Sequence, residues 1–136
     1  MREELEQKLF ERFPFYEAKS LWTGEKLGFP TGACFGDGWY DILYHLCEKI
    51  EEDLKQYPNP DFYFQEIKEK YGGARFYASS IPEKSKIFDY INEAEEQSYE
   101  TCEQCGTKEN VKLISQGWWR TICEKCKGDK VWGILS

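Results

Sequence analysis

Leu5, Leu9 and Phe13, with Phe10 alongside, recur every third or fourth position and predict a short amphipathic helix over residues 2–12, stopped by Pro14. A longer stripe of Trp39, Leu43, Leu46, Ile50 and Leu54, with Ile42 and Cys47 beside it, predicts a second helix. Asp37-Gly38 opens it and Tyr57-Pro58-Asn59-Pro60 ends it, while Glu48, Lys49, Glu51, Glu52 and Asp53 are expected to face water. Ser80-Ile81-Pro82-Glu83 has the form of a capping box with Ser80 as N-cap. The helix expected behind it puts Ile87, Ile91, Ala94 and Ser98 on one face and ends near Thr101.

Strand signals fill the gaps. Phe62–Tyr71 and Ala74–Ala78 flank Gly72-Gly73, a two-residue turn in which both positions tolerate positive φ, so a β-hairpin is predicted. Further strands are expected at Val111–Ile114 and Trp118–Ile122, around a turn at Ser115–Gly117. Residues 14–38 carry Gly24, Gly28, Pro30, Gly32, Gly36 and Gly38 and read as a long loop with a strand around Phe15–Leu21. A loop of that length in a small domain is a candidate binding surface. The fold class implied is α+β: helices packed on a small antiparallel β-hairpin or sheet, with a C-terminal zinc-ribbon-like module. Residues 1–100 form the α+β domain, and residues 101–136 the module packed on it as one compact unit.

The motif with chemical specificity is Cys102-x-x-Cys105, seventeen residues, Cys123-x-x-Cys126. Two residues between thiols allow a tight knuckle that turns both sulfurs to one ion, and the intervening hairpin brings the knuckles together. Gly106 lets the backbone turn back after the first pair. A redox C-x-x-C needs a single pair opening a helix in a βαβ setting, which two pairs around a hairpin do not supply. One zinc ion per chain is expected. Four cysteine ligands leave no open position, so that ion is structural. Of the other two cysteines, Cys47 sits on an apolar stripe and reads as a buried small hydrophobe, leaving Cys34 as a possible extra ligand or partner.

Charge narrows the partners. The chain of 136 residues carries a formal net charge of -7. Residues 1–100 hold 12 Lys and Arg against 21 Asp and Glu, and residues 101–136 hold 6 against 4. That balance disfavours nucleic-acid backbones as partners. No apolar run reaches the roughly 20 residues of a spanning helix, and the acidic start Met1-Arg2-Glu3-Glu4 is unlike a signal peptide. A cytoplasmic location is therefore expected, with no membrane partner.

Weaker candidates remain. His45, the single histidine, falls off the apolar stripe and reads as solvated surface. Glu66 and Lys68 lie two apart on a strand, as a lysine beside a Mg²⁺ ligand would in a nuclease, with Asp61 or Asp41 as further acids. Alternating charge on a wet strand face explains the pair more simply. Lys70, Tyr71, Arg75 and Tyr77 cluster around the hairpin turn with Phe76, and Trp119 and Arg120 follow Trp118 before the second knuckle. Aromatics beside arginine can stack a base and hold a phosphate or carboxylate, which makes these six a candidate ligand or partner surface.

Taken together, Gly38-Trp39-Tyr40-Asp41, Leu46-Cys47, Gln65-x-x-Lys68-x-x-Tyr71-Gly72-Gly73-x-Arg75-Phe76-Tyr77, Glu95-x-x-Ser98, Cys102-Glu103-x-Cys105-Gly106 and Gly117-Trp118-x-x-Thr121-x-Cys123 carry a resemblance. The chain resembles, over roughly residues 34–126, a family of small uncharacterised proteins encoded by phages and prophages. In that family the last ligand is often His, and Cys126 stands there instead. The resemblance implies an accessory phage protein made inside a bacterium, of a kind that inhibits host defence by acting on a host protein; the motifs themselves, without a Ser-His-Asp set or a phosphate loop, give no catalytic residues. A protein sequestering a nucleotide immune signal is the alternative it leaves, and the Mg²⁺-dependent nuclease is a second. Acidic N-terminal helices would suit a basic surface on the host protein.

Overall fold

The structure is a computed structural model that describes residues 1–115 and 117–127. The end of the module, 128–136, and Gln116 in its turn lie outside the described residues. Helix α1 spans Glu3–Arg12, and a 3-10 turn at Pro14–Tyr16 leads to an antiparallel arm of β1 (Glu17–Lys19) and β2 (Lys26–Pro30). Next come β3 (Ala33–Cys34), a 3-10 turn at Asp37–Trp39 and helix α2 (Tyr40–Leu54). The hairpin of β4 (Tyr63–Lys70) and β5 (Gly73–Ser79) precedes α3 (Ile87–Ser98). The chain continues through β6 (Val111–Ser115), β7 (Trp119–Cys123) and the short α4 (Glu124–Lys127). The class is α+β, with four clustered cysteines at the C-terminal end.

The core fills with rings because the inward positions are aromatic. Phe15 meets Phe62 edge-on at 5.5 Å, Phe62 meets Phe64 at 5.3 Å, and Phe35 meets Trp39 at 5.2 Å. The stripes of α2 and α3 bury against this layer as their periodicity implies, with Leu43, Ile50 and Ile87 fully enclosed. A bulge between Phe64 and Glu66 turns both Phe64 and Ile67 inward, although they are three positions apart.

The segment 14–38 differs from a loop: it carries three strands and two helical turns. Tyr16 hydroxyl donates to Glu6, and Thr31 N–H donates to the Tyr16 carbonyl at 2.9 Å, so α1 and the arm brace each other. β3 then pairs parallel to β4 (Ala33 opposite Ile67, Cys34 opposite Lys68), giving a three-stranded sheet in the order β3-β4-β5.

Three local expectations shift. Lys70 pairs with Gly73, so the turn is Tyr71-Gly72, with φ of 54° and 85°. Gly73 is reserved for packing, since a Cβ there would strike the Tyr99 ring. Ser80 caps no helix; it takes a positive φ of 60° after β5, and α3 starts at Ile87, whose N–H donates to Ser85 Oγ at 2.9 Å. Asp53 does not face water. It is 6% exposed and accepts from Ser85 Oγ at 2.6 Å and from Gln56 Nε2 at 3.2 Å, which ties the end of α2 to the start of α3.

Both outer edges of the sheet are sealed by side chains. On β5, Ala74 N–H donates to Ser98 Oγ at 2.8 Å and Phe76 N–H to Glu95 Oε2 at 3.1 Å. On β3, Ala33 N–H donates to Glu6 Oε2 at 2.6 Å. Unpaired strand edges invite another chain, and these edges have no donors to offer at those positions.

Candidate metal centre

Cys102 and Cys105 lie in the bend between α3 and β6, and Cys123 and Cys126 at the junction of β7 with α4. Gly106 N–H returns to the Cys102 carbonyl at 2.9 Å, closing the first knuckle, and Cys126 N–H points at Cys123 Sγ at 3.4 Å in the second. The register of Val111 opposite Cys123 brings the knuckles face to face.

All four sulfurs fall within 4.8 Å of one another. Cys105 and Cys123 sulfurs are 3.7 Å apart, close to the edge of about 3.8 Å expected for a tetrahedral thiolate site with bonds of roughly 2.3 Å. All four thiols are free of disulfides, and Cys102, Cys123 and Cys126 are buried. Burial raises the Cys102 thiol, but N–H groups of Cys105, Cys123 and Gln104 outweigh it and hold the group at about 7. Burial and the neighbouring sulfurs push Cys126 up. Thiol ligands bind a metal as thiolates, so a cation entering the cluster would release protons from it. Among the described residues, no other group of three or more His, Cys, Asp or Glu side chains is gathered closely enough to hold an ion. Cys47 is buried in the core and Cys34 exposed on β3, and neither joins the cluster.

The cysteine module is clamped to the rest of the molecule at two places, the first knuckle and the β6–β7 hairpin. On one side, Gly38 N–H donates to the Glu103 carbonyl at 2.8 Å and Gly36 N–H to Glu103 Oε2 at 3.0 Å. Trp39 Nε1 donates to the Thr101 carbonyl at 2.8 Å. On the other, Thr121 Oγ1 donates to the Gly72 carbonyl at 2.6 Å, and a Cβ on Gly72 would collide with Leu113. Glu103 N–H donates to the Thr121 carbonyl at 3.0 Å, linking the two clamps. Gly38, Trp39, Gly72, Glu103 and Thr121 thus join the cysteine module to the rest of the molecule, while Glu95 and Ser98 seal the sheet's edge.

The six candidate surface residues, Lys70, Tyr71, Arg75, Tyr77, Trp119 and Arg120, have these surroundings. Arg75 Nη2 donates to Tyr99 hydroxyl at 3.0 Å and its Nη1 to the Ala74 carbonyl at 2.8 Å. Arg120 Nε faces Glu103 Oε1 at 3.7 Å in a largely buried pair. Lys70 lies over the Tyr71 ring at 5.6 Å on the exposed hairpin tip, beside which Trp119 packs its backbone on Gly72. Tyr77 instead lines a groove of 350 Å³ with Leu21, Gln65, Glu66 and Lys68. Glu66 and Lys68 share the outer sheet face as their spacing predicts and pair at 3.0 Å, while Asp61 is 3.6 Å from Lys19. Asp41 and His45 are exposed on α2.

Sequence reasoning named the whole of 14–38 a candidate binding surface without singling out Trp22, and took Leu21 as the end of a strand. Leu21 and Trp22 cap the β1–β2 arm at 72% and 95% exposure, with Leu27 and Phe29 exposed behind them. Ser20 builds the tip: its Oγ accepts from Trp22 and Thr23 N–H, both at 3.2 Å, and its carbonyl from Gly24 N–H at 2.9 Å. The signal was there, as two large apolar residues between Ser20 and Thr23-Gly24 in a segment with no helical or strand period. Comparison with family models, with curated proteins and with solved structures finds no match. No described helix is long and apolar enough to cross a membrane.

Proposed function

We propose that the chain is a zinc-stabilised, non-enzymatic binding protein, a phage-encoded accessory factor that occupies and inhibits a protein of its bacterial host, such as a defence component. Zinc is the ion that suits four thiolates at tetrahedral spacing, and a closed four-sulfur site is structural. The phage setting and the defence target follow from the sequence resemblance. The observation that carries binding is the arm. A tryptophan 95% exposed on a turn held by three hydrogen bonds is an anchor waiting for a pocket, because tryptophan dominates interface energetics when buried. Exposed acids on the three long helices, among them Glu3, Glu4, Glu48, Glu52, Asp89, Glu93 and Glu96, favour a partner that carries a basic surface.

The test is capture from bacterial lysate with the intact chain and with Trp22→Ala, followed by reconstitution. The reading expects a captured protein whose own activity falls when the intact chain is added and is untouched by Trp22→Ala, with binding that weakens as salt rises. Equal capture and equal inhibition by both proteins would remove the arm from the mechanism.

A further inference from the structure

A hollow of 350 Å³ lies between the 3-10 turn at Pro14–Tyr16, the arm and the end of α2. Its floor is apolar, made chiefly by Phe15, Leu54 and Phe62. Three lysines line it, Lys19, Lys26 and Lys55, drawn from three separate stretches of chain. In a protein of net charge -7, that convergence on an apolar floor runs against the general distribution of charge.

The charges lining the hollow are each paired, with Lys26 the exception among the described residues. Glu51 is the one acid in its lining, and Arg12 Nη2 donates to it at 2.8 Å, so its charge is already matched from outside. Lys55 pairs at 3.0 Å with Glu52, both well exposed. Lys19 lies 3.6 Å from Asp61 and over the Tyr63 ring at 4.9 Å; its side chain is only 15% exposed, whereas Asp61 is 84% exposed and bathed in water. Lys26 has no acceptor among the described residues. An ammonium at the mouth of an apolar hollow attracts an anion, and the floor favours an apolar body behind it.

We propose that this hollow binds an amphipathic organic anion, its acyl or aromatic body on Phe15, Leu54 and Phe62 and its carboxylate or phosphate head on Lys26 and Lys19. The volume is at the small end of ligand sites, which suits a medium-chain acyl group or a single ring. The site stands apart from the arm tip and the cysteine cluster, so it can fail or hold independently of the inhibitory function proposed above.

The experiment is calorimetric titration of the metal-loaded full chain with octanoate and with phenyl phosphate, against octanamide and inorganic phosphate as controls. One-to-one binding of either probe, at least about tenfold tighter than its control, is expected. Octanoate alone would identify an acyl carboxylate, and phenyl phosphate alone an aromatic phosphate ester. Lys26→Glu, and Lys26→Met should the first variant fold poorly, are expected to weaken binding about tenfold, while Lys108→Glu, distant on the surface, leaves it unchanged. Absence of saturable binding, equal binding of octanamide or inorganic phosphate, or equal losses at Lys26 and Lys108 would each overturn the proposal.

Discussion

The carbonyl oxygen of Cys102 occupies the space that a side chain at Gly38 would need, so the first knuckle rests directly on backbone. Gly38→Ala is therefore expected to cost about 1–3 kcal/mol through overpacking that flexible atoms cannot relieve. It should also speed metal transfer to a chromogenic chelator, because the knuckle loses its seat. Thermal unfolding and chelator kinetics on the same sample check both parts.

Removing a ligand acts on the whole module. Cys102→Ser and Cys123→Ser are each expected to abolish binding of one divalent ion per chain, read by native mass spectrometry, and to open the buried Trp39, whose indole donates to the Thr101 carbonyl beside the first knuckle, to a fluorescence quencher. A strong zinc chelator should do the same to the unsubstituted chain, since metal binding free energy is folding free energy for a segment with so little apolar mass.

Thr121 offers a sharper probe of the second clamp. Thr121→Val preserves shape but leaves the Gly72 carbonyl without its donor in a buried setting, at an expected cost of about 1–3 kcal/mol. Thr121→Ser, which keeps the hydroxyl, should retain most of the stability. If the two variants unfold alike, the hydrogen bond contributes nothing and packing alone holds the hairpin tip.

Glu51 gives a pH signature. Its hydrogen bond to Arg12 holds the carboxyl below the usual 4.5, so the folded state binds that proton less readily than the unfolded one. The stabilisation is present above the unfolded value and is lost as pH falls through the lower folded value. Glu51→Gln should be less stable than the parent at neutral pH, and the difference should close as pH falls below the usual carboxylate range. The partners are solvent-exposed in part, so added salt should shrink the difference at neutral pH.

Trp22→Ala separates binding from folding. A side chain touching almost nothing should be removable within about 0.5 kcal/mol, as is usual for surface positions. Denaturant midpoints should coincide while inhibition of the partner is lost.

What could be read from the chain depended on how many residues repeated the same message. α2 announced itself because seven apolar positions agree on one face, and the cysteine cluster because spacing alone constrains four ligands. The arm left no such trace: Lys26 to Phe29 are all exposed, so no alternation between wet and dry faces exists to be read. Asp53 looked like surface because its partner, Ser85, lies thirty-two residues away, and Ser80 looked like a cap because only the tertiary path of the chain decides which serine meets the helix. The turn slipped by one position since Gly73 answers to Tyr99, a contact invisible in a hairpin read by itself.

The seals on the sheet have a timing. Glu6 leaves the ribosome before β3 and is ready when that strand forms, but Ser98 and Glu95 are translated after β5 is complete. Between those moments the hairpin's outer edge is an open template for any neighbouring nascent chain on the same polysome. A message ending after β5 would make that interval permanent, and its product would be driven towards strand-paired aggregates.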